Sequence, residues 1–550
     1  MRYRLVFLLW SGAVLAGSAV VHAAVAGEVR PLVVPQPVGS PAWQRYVVEG
    51  RDSPFGLDYV FVLDRGFRQP ELARDLGGFV GVRWANFARV NWGQIEPRAP
   101  VGGRHAYDWS ALDEGVRQWQ PYGVHILMSL RFTSSWANAK PSGEPFTYLG
   151  GLWSWIPKLS ADYRPRPDHQ QDLRDYVTAL VERYDGDAVS DMPGLRFPIL
   201  HYQVCNEAYN ELFWAGTVEE YGAHLKEVAQ AARQACPQVK LILSGVCFLP
   251  MDGFYDRKMD PRTQAYVDRL LPKTGPRMQP FLTRMDAFSR RSLRFPEYDI
   301  LDARWSYYGV VARCREELRR AGRGDTEIWS AEIYTAHPLL DALVLPMTTL
   351  QPYPAPSRSL DYIRITRSPK DKDFEVVNRW YRARQAAMAV KCCLVGLDAG
   401  AKKLMNGWAL DSQVPLAAYP LGVGGYKSTT FDKLWPAAHT YKLLIDKLDG
   451  ITACRRLPMP DDAYVYECTV RGGRRVLVAF YDDHVARNHD EPAPTADAVL
   501  PVGSTRVRVT RIVTDVDQAA PVVETLAAPG GRLRWPLSEF PVFVEPETAP

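Results

Sequence analysis

The chain alternates between short apolar runs and longer stretches in which apolar residues return every three or four positions. Residues 87–90, 124–130, 199–205, 240–245, 300–307, 328–333 and 403–408 read as buried strands, with a first strand at 54–57. Amphipathic stretches at 109–120, 168–184, 218–236, 310–321, 374–395 and 436–448 read as helices between them. Strands alternating with helices over roughly 400 residues predict an α/β fold, a (β/α)8 TIM barrel, placed at residues 51–450. Past "DKLDG" at 446–450 the period changes. Alternating runs at 463–470, 475–480, 505–514 and 540–544, separated by Gly, Pro and Asp, predict a C-terminal antiparallel β-sandwich over 451–550. Residues 27–50 precede the barrel and can add a strand to that sandwich.

Three long insertions, 131–167, 246–294 and 334–373, each follow the C-terminal end of a predicted strand, the face on which such barrels build active sites. The first holds Phe132, Trp136, Phe146, Tyr148, Trp153, Trp155 and Tyr163. Rings in loops either stack on the apolar C–H faces of sugar rings or form a small core that holds the loop together. Trp136, Trp153 and Trp155 are the candidates for ligand contact. With 16 Trp, 27 Tyr and 20 Phe in 550 residues, the composition also tilts toward a cleft lined with flat rings.

Charge excludes some partners. A net +4 spread over 66 basic and 62 acidic side chains gives no basic stripe for nucleic acid or an anionic membrane. The N-terminus has Arg2 and Arg4, then an apolar run over 5–21, then small-x-small triplets ending at Ala23 and Ala26. This is the pattern of a cleavable signal peptide over residues 1–26, which predicts a secreted or periplasmic protein with no stable membrane insertion of the mature chain. The eight cysteines show no C-x-x-C and the histidines no helical zinc spacing, so neither a metal site nor a cofactor is expected. Cys454 and Cys468 flank a short two-strand segment and can pair in an oxidising compartment.

The stretch "HYQVCNEAYN" at 201–210 ends a buried strand with two polar residues, Asn206 and Glu207. Burying polar groups without partners costs free energy, so the two either cap the next helix or point into a site. A second carboxylate, Glu332, stands near the end of the seventh predicted strand in "EIWSAEIYT" at 327–335. In a closed barrel, the C-terminal ends of different strands converge over one mouth. Two carboxylates across such a mouth can cleave a glycosidic bond, one as acid then base, the other as nucleophile.

With these residues in place, the chain resembles the retaining glycoside hydrolases of clan A. That clan carries Asn-Glu at the end of the fourth strand, the Glu being the acid/base, and a nucleophilic Glu at the end of the seventh. "FARVNWGQIEP" (87–97) followed by "YDWSALDEGV" (107–116) resembles the clan's second strand and following turn. It puts Arg89 where the clan has an arginine bonded to the nucleophile. "NGWALDS" (406–412) resembles the eighth strand with its Trp, here Trp408, and "WPAAHTYKLLIDKLDG" (435–450) resembles the last barrel helix of family 39. That family holds β-xylosidases and α-iduronidases, with endo-acting bacterial exopolysaccharide hydrolases among its relatives. The resemblance implies a retaining mechanism with Glu207 as acid/base and Glu332 as nucleophile, and Asn206 on the sugar 2-OH. The sixth strand's usual His-x-Tyr is "WSYYG" (305–309), leaving Tyr307 and Tyr308 as alternatives for the Tyr role. The chain departs from the pattern at Cys205, Ala208 and "SLRF" (129–132).

The expected activity is hydrolysis of β-glycosidic bonds in a poly- or oligosaccharide by double displacement. The number of loop aromatics favours endo action. Exo action or transglycosylation on the same site, and a carbohydrate-binding barrel without catalysis, are the alternatives.

Overall fold

The computed structural model describes residues 37–63, 69–139, 161–210, 213–248, 283–303, 310–333, 358–366, 368, 370–406, 422–423, 433–460, 462–483, 485 and 487–547. Eight parallel strands close into a barrel in chain order. They are β1 (Phe55–Val60), β2 (Trp84–Asn91), β3 (His125–Arg131), β4 (His201–Val204), β5 (Lys240–Val246), β6 (Ile300–Ala303), β7 (Glu327–Ile333) and β8 (Lys403–Asn406). All eight were expected, each within a few residues of its bounds. Around them pack α2 (Ser110–Trp119), α3 (Gln170–Glu182), α4 (Val218–Ala235), α5 (Val310–Arg320), α6 (Phe374–Asp398) and α7 (Pro436–Leu448), and these helices were expected too. A helical segment at Gln69–Leu72 that continues as a π-helix over Ala73–Val80 was not.

The N-terminal end of the barrel is plugged by rings. Trp84, His125, His201 and Trp329 meet at centroid distances of 5.0–5.1 Å. Lys403 reaches in above Trp84 and donates to the carbonyls of Arg51 at 2.7 Å and Ser53 at 2.9 Å. Over this floor lies α1 (Pro41–Gly50), so this part of the segment expected to add a strand to the sandwich is helical, and residues 27–36 of it lie outside the described residues. Ser40 Oγ accepts the Trp43 amide and Pro41 opens the first turn, a helix start encoded locally. Trp43 Nε1 donates to the Pro121 carbonyl at 3.0 Å, and a ring nitrogen of His125 contacts the Val47 carbonyl at 2.8 Å, so the helix closes the barrel floor.

The C-terminal part forms a six-stranded antiparallel sheet and a two-stranded one. The larger contains Ile451–Leu457, Ala463–Val470, Arg474–Tyr481, Arg506–Arg511, Val522–Ala527 and Val542–Pro546, and Thr495–Pro501 pairs with Arg532–Ser538 in the smaller. Leu500, Val507, Val509, Leu533 and Val544 lie in a second apolar core formed by these strands. Helix α6 is buried nearly all round over residues 381–396, which is why its sequence shows no clear polar face. Lys391 pairs with Asp482 at 3.2 Å, the two being 1% and 0% exposed, and Arg384 pairs with Glu539 at 2.6 Å. Two buried charge pairs thus lock the barrel to the sandwich. Cys454 and Cys468 stand directly opposite each other on adjacent strands as thiols, their sulfurs 3.5 Å apart rather than bonded.

Candidate active site

Four barrel strands break their alternation at the C-terminal end. On β7, Ser330 pairs with Leu404 and Ile333 with Asn406, three steps against two on β8. One residue is therefore extra, and Ala331 and Glu332 lie together between two outward-facing neighbours. The same offset occurs on β2 between Phe87 and Val90, which sets Ala88 and Arg89 side by side, and on β1 and β5. A regular strand would send residues 331 and 332 to opposite faces. The bulge turns Glu332 toward the barrel axis, where it is 1% exposed.

Glu207 reaches the mouth by a different route. Strand β4 ends at Val204, and both Cys205 (φ 64°) and Glu207 (φ 38°) take left-handed backbone conformations. Such geometry costs about 1–3 kcal/mol at a non-glycine residue and persists only where surrounding contacts enforce it. Here the amide of Cys205 donates to the Leu130 carbonyl at 3.1 Å, and the amide of Ala208 donates to Ser244 Oγ on the β5 bulge at 3.0 Å. Glu207 is 6% exposed, and the amide of Asn210 donates to its carbonyl at 2.7 Å. Capping is not the role of Asn206 or Glu207. The next helix, α4, starts with its own capping box, in which Thr217 Oγ1 accepts the Glu220 amide and Glu220 Oε2 accepts the Thr217 amide.

Beneath the two carboxylates runs a buried polar chain that the sequence reading passed over. Asn86 Nδ2 donates to Asp58 Oδ1 at 2.6 Å, and Ser129 Oγ donates to Asn86 Oδ1 at 2.8 Å. Ser129 Oγ also touches Gln203 Oε1. Gln203 Nε2 donates to Asp302 Oδ2 at 2.6 Å, and Asp302 Oδ1 accepts the Ala331 amide at 2.9 Å. The chain links β1, β2, β3, β4 and β6 to the residue before Glu332. Its signal in the sequence is a polar residue at an inward position of each strand, visible only once the register is known.

One wall of the mouth is pinned by Arg131 at the end of β3. It pairs with Asp162 at 2.5 Å, and Asp162 also accepts from the Phe132 amide and Thr133 Oγ1. The Asp162 backbone bonds to Phe213 and Ala215 in the segment after Glu207. Trp136 packs against Trp92 and His169 and donates its Nε1–H to the Glu96 carbonyl at 2.8 Å, so it helps hold the insertion together. Arg89 is exposed and lies over the Phe61 ring at 4.8 Å. Trp153, Trp155, Tyr307, Tyr308 and Trp408 fall outside the described residues.

The fold and site define a (β/α)8 barrel with carboxylates at the C-terminal ends of its fourth and seventh strands, followed by antiparallel sheets. No family model matches the sequence, and no curated protein does. Solved structures share the fold. A glucosidase from Croceicoccus marinus superposes with a TM-score of 0.51 at 12% identity, covering 90% of this chain and 96% of its own. A monomeric beta-xylosidase from Caulobacter crescentus CB15 gives 0.50 at 14% identity, covering 90% and 97%.

Proposed function

We propose that the protein is a retaining glycoside hydrolase of clan A, most like family 39, that cleaves β-glycosidic bonds in an extracellular or periplasmic poly- or oligosaccharide. The observation that carries this reading is the delivery of both Glu207 and Glu332 to the barrel mouth by irregular backbone, one through left-handed residues and one through a bulge. Glu332 attacks the anomeric carbon while Glu207 protonates the leaving oxygen. Glu207 then draws a proton from water, which releases the sugar from Glu332. Asn206, the neighbour of the acid/base in sequence, hydrogen-bonds the sugar 2-OH in this reading. The ring-rich insertion after β3 favours endo action.

The test is chemical rescue with an activated aryl β-glycoside. Glu332→Gln should form no glycosyl-enzyme. Glu207→Ala should still form it and then stall, because the second step lacks its base. Azide should restore turnover of Glu207→Ala and yield a β-glycosyl azide. Rescue of Glu332→Ala with inverted product would exchange the two roles, and unaffected activity in both variants would refute the site. A panel of polysaccharides with mass detection of products identifies the substrate and separates hydrolysis from sugar transfer.

A further inference from the structure

On the outer side of the mouth, three carboxylates gather around one imidazole. The ring of His105, in the loop after β2, contacts Glu96 Oε1 through Nδ1 at 2.8 Å, and Glu96 is fully buried with its other oxygen accepting Trp92 Nε1–H at 2.9 Å. The opposite ring nitrogen, Nε2, faces Asp172 Oδ1 at 3.6 Å and Asp175 Oδ2 at 3.4 Å. These separations are too long for good hydrogen bonds. They are close to the edge of a tetrahedron around an ion bound at about 2.0–2.2 Å, which is roughly 3.4 Å. Asp172 and Asp175 stand one turn apart at the start of α3, and Asp172 Oδ2 is held by His169 Nδ1 at 2.7 Å. Asp175 Oδ1 accepts from Gln171 Nε2 at 2.8 Å, so each of the three side chains is held through its other polar atom, as in built metal sites, where the free ring N–H of a ligating histidine goes to a carboxylate.

Two further observations accord with a cation-binding role. Among the described residues, no Lys or Arg pairs with Glu96, Asp172 or Asp175. The Tyr107 and Tyr176 hydroxyls are buried beside this cluster and have no hydrogen-bond partner among the described residues, and Tyr176 is 0% exposed. The Tyr107 ring lies flat on His105 at 5.3 Å. Buried polar groups left unpaired in this way mark the place of an ion or ordered water.

We propose that His105 Nε2, Asp172 and Asp175 bind a divalent ion of the class that accepts mixed imidazole and carboxylate ligands, zinc or manganese, with water completing the shell beside Tyr107. The ion joins the loop after β2 to the start of α3. It sits beneath Trp136, whose Nε1 bonds to Glu96, and so stiffens the rim of the mouth without taking part in the chemistry. The spacing escapes sequence motifs because one ligand comes from a loop and two from a helix of the next βα unit.

The test uses the full protein stripped with EDTA and desalted, titrated calorimetrically with Zn2+ and with Mn2+, beside Asp175→Asn and His105→Gln. Wild type should take up one equivalent of at least one ion, with a rise in Tm of several degrees. Asp175→Asn, at a half-exposed position that leaves the fold intact, should bind at least tenfold more weakly, and its Tm should gain little from the ion. His105→Gln should behave in the same way. The proposal is overturned if wild type shows no saturable uptake of either ion, or if Asp175→Asn binds as tightly as wild type.

Discussion

Asp302 accepts the amide N–H of Ala331 at 2.9 Å, so the residue before Glu332 is tied to a carboxylate on the adjoining strand. The other Asp302 oxygen accepts from Gln203 on β4, the strand that leads to Glu207. One buried side chain therefore sets the height of both candidate catalytic strands. Asp302→Ala should lower kcat at least about tenfold with a small change in KM, since a displacement of about 1 Å in reacting groups can cost a hundredfold. It should also cost about 1–3 kcal/mol of stability by leaving Gln203 Nε2 and the Ala331 amide without their acceptor. Asp302→Asn, which keeps the acceptor for Ala331, should recover part of kcat. A lowered Tm with unchanged kcat in Asp302→Ala would show that the residue is structural alone.

The proposed retaining mechanism fixes a distance. The Glu207 and Glu332 carboxyl groups should lie about 5–5.5 Å apart in a crystal structure of the protein, and the first product seen by NMR should keep the β configuration. A separation of about 9 Å with an α product would indicate inversion through a bound water.

Acid should destabilise the fold through buried imidazoles. Burial pushes His125 down to about 4 and His201 and His224 down to about 3. All three are neutral in the folded chain, whereas the unfolded chain binds protons on them below about 6.5. Stability is therefore undiminished above that pH and falls as pH drops from about 6.5 toward 4. Each histidine contributes about 1.4 kcal/mol per pH unit in that window. His224→Leu, at a ring packed between Phe132 and Trp214, should flatten the slope in urea melts between pH 6 and 4.5 by about one proton's worth. An unchanged slope would remove His224 from the account.

The facing thiols of Cys454 and Cys468, separated by 14 residues and with sulfurs 3.5 Å apart, should close into a disulfide under mild oxidation. Loop entropy puts the gain at about 3 kcal/mol. Thiol titration should fall by two per chain, with a higher Tm, and Cys454→Ser should show neither change.

Asp482→Ala should be among the most damaging substitutions in the sandwich. It leaves the Lys391 ammonium buried and alone, at a cost of about 3–5 kcal/mol. The double change Lys391→Met with Asp482→Leu should recover most of that loss, because it removes both charges and keeps the apolar contact. If the single and double variants melt alike, charge burial is not what couples the barrel to the sandwich.

Much of this protein is written locally. Apolar period alone gave the eight strands and most of the helices, because each element must bury one face or stripe whatever its partner is. The polar pair Asn206–Glu207 and the lone Glu332 stood out for the same reason, as charged or polar groups at the ends of runs with no local use for them. The structure removes the one local use that was available by showing a separate cap at Thr217.

Register, by contrast, is set by neighbours. The extra residue on β7 has no signature in "EIWSAEIYT", because a bulge exists only relative to the hydrogen bonds of β8, and only that bulge turns Glu332 inward beside Ala331. The path from Asp58 to Asp302 crosses five strands distant in sequence. The helix Pro41–Gly50 found its place on the barrel floor through Pro121 and His125, although its own capping residues encode a helix start. The meeting of His105 with Asp172 and Asp175 depends on two βα units packing side by side. Propensity and period act over one turn or one strand, so they determine which elements form. Which side chains those elements bring together depends on hydrogen bonds and packing between distant segments, and that was decided only when the barrel closed.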